Sequence, residues 1–245
     1  MLHTPHTPHE RFKTYKNVFD EHSERALFKL GSQGHFDELV SPITLGKEAN
    51  IFTAWNEREQ RTVIVKIYRL ETGDFNRLYD SIKFDPRFSR LKRQRRKIIF
   101  AWCKREFRNL MIARDAGVRC PMPRAFLDNI IVMDFIGDDY AAPKVKDQIP
   151  KDIDVFYAET MAYLQRLVER GLVHGDLSEY NILNHKEKPV FIDFAQATPV
   201  KSINAIQLVS RDIANLTRFF KKHGASVMDP ELLKKKMIEK IKKQR

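Results

Sequence analysis

Apolar positions along this chain of 245 residues change period several times, and each change marks an element. Phe52-Thr53-Ala54-Trp55 and Val63 to Tyr68 are short runs rich in β-branched and aromatic residues. The charged turn Asn56 to Arg61 separates them, which predicts a pair of strands, and Phe36 to Leu45 ahead of them is extended in character. Ala125-Phe126-Leu127 and Ile130 to Met133 predict a second strand pair around Asp128-Asn129. Helical spacing rules elsewhere. Glu10 to Leu30 carries a broken stripe of Phe12, Tyr15, Phe19, Leu27 and Phe28, enough for one or two short helices. Ile98 to Ala116 reads as a helix with Phe107, Leu110, Met111 and Ala113 on its apolar side and Gly117 as its stop. Asp152 to Arg170 reads as another, with Val155, Ala158, Met161, Leu164 and Val168 inward and Gly171 after it. Ile203 to His223 and Pro230 to Lys243 complete the set, the last with Asp229 as N-cap and Pro230 in its first turn.

Between these helices, Leu172 to Ala197 alternates short apolar runs with polar turns. Ile182-Leu183 and Pro189 to Ile192 predict two short strands joined by Asn184 to Lys188. Such a hairpin delivers Asn181 and Asp193 side by side, with Asp176 on the loop before it. Two carboxylates and an amide so placed suit phosphoryl transfer, where a protein positions groups and manages charge. One carboxylate orients an attacking hydroxyl; the amide and the other carboxylate hold Mg²⁺ against phosphates. The plainer alternative is a polar hairpin whose Asp and Asn make turn hydrogen bonds.

Lys66 sits inside the apolar run Val63-Ile64-Val65-Lys66-Ile67, where a lysine is costly unless it meets an anion or lies on a solvent-facing edge. Glu106 lies on the helix between Lys66 and Asp176 and is preferred to Glu48 as an acidic partner for that lysine, the alternative being a surface charge. Met133-Asp134-Phe135-Ile136 leads into a polar, proline-containing link, Asp138 to Pro150. It reads as a hinge whose backbone groups at Met133, Asp134 and Ile136 can bind a purine. Asp212 is placed either to brace the loop of Asp176 or on a helix surface.

The formal charge of +12 and pI near 9.7 favour a polyanionic partner, nucleic acid ahead of a membrane surface. Arg87, Arg90, Lys92, Arg93, Arg95, Arg96 and Lys97 crowd one section of a segment, 76–98, that reads as solvated or mobile, and lysines crowd the C-terminal helix. Ser89 lies among those arginines as a candidate for self-phosphorylation. Cys103 and Cys120 lack metal or pairing spacing, which predicts reduced thiols and a cytoplasmic setting. No apolar run reaches the length of a membrane span, and the start has no apolar core of a signal peptide. His3, His6 and His9 recur in Thr-Pro-His repeats, read as a flexible tail.

The motif His174-Gly175-Asp176, four residues and Asn181, followed by Ile192-Asp193-Phe194, resembles the catalytic and metal loops of protein-kinase-like enzymes, with Gly175 replacing arginine. With Gly46-Lys47-Glu48-Ala49-Asn50-Ile51, Val65 to Arg69, Glu106 to Leu110, Asp176 to Leu183 and Phe191 to Ala197, the chain resembles the RIO atypical kinases from about residue 40 to 225. The Lys-Glu-Ala-Asn turn and a short N-terminal segment are similar to the first RIO subfamily, which lacks a winged helix, and the size is similar to archaeal members.

The resemblance implies an α+β, bilobal fold: N-terminal helices over 1–36, a lobe over 37–136 with an antiparallel sheet and one main helix, and a truncated, mostly helical lobe over 137–245. It implies serine/threonine kinase or ATPase activity with ATP and Mg²⁺, and a role on the pre-small-subunit ribosomal particle and its RNA. By position, Gly46, Lys47, Glu48 and Ala49 would line the nucleotide phosphates, Lys66 would bind them, and Glu106 would anchor Lys66. Asp176 would be the acid-base residue, and Asn181 and Asp193 the metal ligands, with Asp193 also a candidate phospho-aspartate. Two departures are a single glycine in the phosphate turn and Leu45 where relatives carry threonine. Small-molecule phosphotransferases of the aminoglycoside and choline kinase type share the central motif, though not the basic segment; a non-enzymatic RNA-binding factor is the other alternative.

Overall fold

The computed structural model describes residues 19–71 and 75–244. The expectations on Phe12, Tyr15 and the histidine repeat lie outside the described residues. The chain divides into two compact units. One holds the described residues up to Leu78, with Lys92–Lys104 and Pro123–Phe135; the other holds Tyr79–Leu91, Arg105–Met122 and the chain from Ile136 onward. The architecture is α+β with two lobes, one built on an antiparallel sheet and one mostly helical.

The first unit is organised by β1 (Glu38–Leu45), β2 (Ala49–Asn56), β3 (Arg61–Tyr68), β4 (Pro123–Leu127) and β5 (Ile130–Asp134) in the order β1-β2-β3-β5-β4. Every neighbouring pair is antiparallel, with Lys66 opposite Ile51 on one side and Ile131 on the other. Strand period explains the layering. Phe52 and Ala54 on β2 and Val63, Val65 and Ile67 on β3 point to one face and meet Leu27 and Leu30 of α1 (Glu21–Ser32) in one core. Asp20 caps α1 by accepting from the Ser23 amide at 2.9 Å. Phe28, expected in the inward stripe, is exposed, because the buried face is set by Ser23, Ala26, Leu27 and Leu30.

The stretch 76–98, read as solvated, holds α2 (Phe75–Ile82) and a 3-10 turn at Pro86–Phe88 before α3 (Arg95–Asp115) begins. Its charge density hid two apolar anchors, Leu78 and Ile82, and one buried acid, Asp85.

In the second unit, α4 (Ile153–Glu169), α5 (Ala205–Lys222) and α6 (Pro230–Lys242) pack together. Four short strands form two ribbons, β6 (Leu172–Val173) with β9 (Thr198–Pro199) and β7 (Ile182–Asn184) with β8 (Pro189–Phe191). The inward face of α4 is only partly the expected one: Leu164 and Val168 are buried as expected, but Val155 is 59% exposed and Ala158 is exposed, while Phe156, Tyr157, Thr160, Tyr163 and Leu167 join the buried side. Aromatic packing decides this, since Phe156 and Tyr157 both meet Phe220 of α5, at 6.1 and 5.3 Å between ring centres. Cys103 and Cys120 form no disulfide and are buried in the first and second unit respectively, and burial pushes the Cys120 thiol up to about 12. Among the described residues, no helix is long and apolar enough to cross a membrane.

Candidate active site

The hairpin of β7 and β8 forms as its sequence predicts. Lys186 and Glu187 both take positive φ, 57° and 59°, between reciprocal His185 and Lys188 backbone hydrogen bonds. That is the twist a two-residue hairpin loop demands. At the other end, the Ile192 amide donates to the Asn181 carbonyl at 3.0 Å, extending the ladder one step beyond the named strands. Asn181 and the neighbour of Asp193 are therefore opposite each other, and the hairpin brings both candidate ligands to one end.

The loop of Asp176 is fixed from below. Asp212, buried on α5, accepts from the amides of Gly175 at 2.8 Å and Leu177 at 2.9 Å, so the bracing role holds and the surface alternative does not. Arg211, the residue before it, donates to the Gly175 carbonyl and lies 3.9 Å from Asp176 Oδ1. Asn181 Nδ2 donates to the Asp176 carbonyl at 2.8 Å. Its amide nitrogen is committed there, which leaves the Asn181 oxygen as the acceptor the amide can offer. Gly175 shows why arginine is replaced: φ is +78°, and a Cβ would sit 3.3 Å from the Gln196 carbonyl and the Leu208 side chain.

Asp193 takes the left-handed region, φ 61° and ψ 68°, which costs a non-glycine residue about 1–2 kcal/mol. It precedes a 3-10 turn, Phe194–Gln196, yet makes no cap hydrogen bond with its side chain. Two residues that sequence reasoning did not single out hold this turn, and a third, within it, links it to Asp176. Asn109 Nδ2 donates to the carbonyls of Phe194 at 2.9 Å and Ala197 at 2.7 Å. Arg105 donates to Ala197 at 3.0 Å and Gln196 at 2.7 Å. Gln196 Nε2 in turn donates to Asp176 Oδ2 at 3.2 Å. Arg105 is fully buried and sits 3.4 Å from the buried Asp85, which also binds Arg87; Arg87 reaches Asn109 Oδ1 at 2.9 Å. In the sequence Arg87 reads as one more member of a solvated or mobile basic run. Arg105 has only an apolar neighbourhood on α3 as its signal, which any amphipathic helix shares, and Arg87, in the Pro86–Phe88 turn, has none.

Burial shapes two titrations beside the loop. His174 donates from Nε2 to the Ile192 carbonyl at 3.1 Å and lies 4.6 Å from the Phe194 ring centre. Burial pulls it down to about 4, so the ring is neutral at pH 7. Asp212 moves the other way, up to about 7, again through burial, against the pull of its two amide donors and Arg211.

Other candidates fall elsewhere. Gly46 to Ala49 forms the tight turn between β1 and β2: the Gly46 amide donates to the Ala49 carbonyl at 3.1 Å. A Cβ on Gly46 would be only 2.8 Å from that oxygen, so the single glycine is a close-approach requirement. Lys47 and Glu48 occupy the turn, and the Glu48 carbonyl accepts from the Arg69 amide at 2.9 Å. Lys66 is 7% exposed, with its ammonium 5.2 Å from the Tyr68 ring centre, so it is not a solvent-facing edge lysine. Met133 is buried on β5, and the Asp134 carboxylate binds Arg61 at 3.1 Å and Arg124 at 2.7 Å. Lys66, Met133, Asp134 and the Gly46 turn belong to the first unit; Ile136 and Glu106 belong to the second. Ile136 accepts from the Ala142 amide at 2.9 Å, and Glu106 is buried on α3, not a surface charge.

The donor chemistry at the hairpin end fits magnesium: an amide oxygen and a carboxylate are hard oxygen donors. Among the described residues no group of three or more His, Cys, Asp or Glu side chains could hold a metal by itself. Mg²⁺ is commonly held in this way, by one or two protein ligands with phosphate oxygens and water completing the octahedron.

A family model described as the RIO domain matches residues 50–233. The chain is 39% identical over 217 residues to the RIO-type serine/threonine-protein kinase Rio1 of Haloferax volcanii, covering 88% of this chain and 74% of that one. It is 40% identical over 215 residues to the Rio1 protein of the same description from Methanocaldococcus jannaschii, covering 87% and 73%. Among solved structures, it is similar to the Rio2 kinase of Chaetomium thermophilum in an ADP/Mg²⁺-phosphoaspartate complex. There the TM-score is 0.63 at 27% identity, over 86% of this chain and 64% of that one, slightly less than two thirds of its length. With these matches and the loop geometry of Asp176, Asn181 and Asp193, the chain belongs to the RIO family of atypical serine/threonine kinases, and its archaeal relatives are of the Rio1 type.

Proposed function

We propose that this chain turns over Mg²⁺·ATP as a kinase or ATPase and acts during maturation of the small ribosomal subunit. The observation that carries the chemistry is the hydrogen bond from Asn181 Nδ2 to the Asp176 carbonyl, which fixes the amide so that its oxygen is the one available to a metal. In this reading Asn181 and Asp193 hold Mg²⁺, which when bound supplies charge neutralisation at the phosphates. Asp176 accepts the proton of an attacking hydroxyl or water, its Oδ2 held by Gln196 and its loop by Asp212. Lys66 and the Gly46 turn meet phosphate oxygens, the backbone near Met133, Asp134 and Ile136 meets the base, and Glu106 is a supporting acid. Asp193 is also the carboxylate we assign to an aspartyl phosphate, the species named for the solved Rio2 relative. Ser89, exposed after the Pro86–Phe88 turn, is the assigned self-phosphorylation acceptor. A cytoplasmic setting accords with reduced, buried thiols.

Steady-state ATP turnover with matched nucleotide-binding measurements tests the assignment. Asp176→Ala should keep ATP affinity while turnover falls about a hundredfold or more. Asp193→Asn should weaken Mg²⁺-dependent nucleotide binding and abolish turnover. Parallel loss of binding and turnover in the first variant makes Asp176 structural, and unchanged turnover in the second removes Asp193 from the site.

A further inference from the structure

Beside the loop of Asp176, a groove of about 360 Å³ opens in the second unit. Tyr180 and Glu179, the two residues before Asn181, form one wall. Arg218, Lys222 and His223 at the C-terminal end of α5 form another, and Lys146 comes from the 138–150 segment. Nothing in the chemistry assigned above uses these side chains. Lys222 lies in the last turn of α5, where a cation is favourable for the helix itself, so alone it says little. Arg218 stands one turn earlier on the same helix face, and Lys146 lies outside any helix; helix electrostatics accounts for neither.

The aromatic residue is the more telling feature. Tyr180 is 54% exposed, and the Lys146 ammonium lies 5.4 Å from its ring centre. An exposed ring contributes little to the core, whereas one flanked by cations is a stacking platform for an unpaired base. Lys146, Arg218 and Lys222 are all exposed; Lys146 also pairs with Asp147 at 2.5 Å, and the three cations still outnumber Glu179 and Asp147 together. The groove is also tied to the loop: Arg218 donates to Asn215 Oδ1 at 3.2 Å, and Asn215 donates to the Leu177 carbonyl at 3.4 Å.

We propose that this groove binds single-stranded RNA, with one base stacked on Tyr180 and flanking phosphates on Arg218 and Lys222. A duplex offers phosphates but no free base face, and an acidic peptide has no use for the ring, so the combination selects an unpaired strand. The inference rests on the reading of RNA as the polyanionic partner, and it places a strand against the loop that carries Asp176.

Fluorescence anisotropy with a labelled mixed-sequence RNA of about 12 nucleotides, on the full chain over a series of salt concentrations, tests it. Arg218→Glu with Lys222→Glu should weaken binding at least tenfold and flatten the log–log salt slope by about 1.4, at roughly 0.7 per lost phosphate contact. Tyr180→Ala, which leaves the charges in place, should weaken binding about tenfold with the slope unchanged. Unlabelled single strand should compete better than a duplex of the same sequence. Unchanged affinity in both variants, equal competition by the duplex, or displacement by an acidic phosphopeptide as readily as by the strand would each overturn the proposal. ATP turnover without RNA, in the Arg218/Lys222 variant, separates the two readings. Parent-like turnover with lost RNA binding supports the groove. An inactive parent that still binds RNA through the groove leaves the groove standing and removes the enzymatic reading.

Discussion

At the scale of single residues, His174 and Asp212 are both sealed from solvent beside one loop, and burial moves them in opposite senses. His174 titrates near 4 in the fold and near 6.5 when unfolded, so between those values only the unfolded chain takes the proton and stability rises with pH. Asp212 titrates near 7 in the fold and near 3.8 unfolded, so there the folded chain keeps a proton that the unfolded chain releases, and stability falls with pH. The two contributions oppose each other between about pH 4 and 6.5. His174→Gln, which can still donate to Ile192, removes one of them. Its stability curve should tilt downward with rising pH relative to the parent, by up to about 1.4 kcal/mol per pH unit across that window. Urea unfolding at pH 4.5, 5.5 and 6.5 measures the tilt; parallel curves would mean that His174 titrates alike in the folded and unfolded chain.

The shared placement of Asp176, Asn181 and Asp193 at one end of a hairpin was legible in the sequence, because residue type and spacing in a short hairpin leave few geometries. Gln196 was not, since its contact with Asp176 depends on a left-handed Asp193 and a 3-10 turn that no local pattern announces.

At the scale of elements, α3 does more than pack. Its Asn109 supplies two donors to the turn after Asp193, and its Arg105 supplies two more. Asn109→Ala leaves buried carbonyls short of donors, and should cost about 2–3 kcal/mol in unfolding experiments. If the turn positions Asp193, turnover should fall at saturating ATP even at temperatures where the variant is fully folded. A stable variant with parent turnover would reduce Asn109 to a packing residue. The element pattern itself was mostly readable: nearly every strand and helix lies where period and caps predicted. The exceptions have physical causes. On α4, Leu164 and Val168 are buried as the spacing predicts, but Val155 and Ala158 are not, because Phe156 and Tyr157 offer more apolar area and take that part of the inward face. In 76–98, the density of charge concealed an internal ion-pair network around Asp85.

At the scale of the whole molecule, the charge of +12 includes cations held in internal networks and cations exposed at the surface. Arg87 and Arg105 belong to the first group, while Arg93, Arg95 and Arg96 are exposed just before and at the start of α3. Replacing these three with alanine should lower RNA affinity and flatten the salt slope by about 2 on a single strand, with ATP binding unchanged. Affinity equal to the parent at every salt concentration would take this segment out of the RNA contact. Net charge was legible from composition alone; which arginines face water was not, because a buried guanidinium and a solvated one look alike in a sequence.

The placement of the cysteines gives the molecule two internal clocks. Cys103 and Cys120 are buried, one in each unit, and the Cys120 thiol is held almost entirely in its unreactive protonated form. A thiol reagent therefore reaches either one only when the surrounding structure opens, so labelling times followed by peptide mapping read out the opening of each unit separately. Repeated with nucleotide or RNA present, the same two rates tell which unit a ligand holds shut, without adding a probe to the protein.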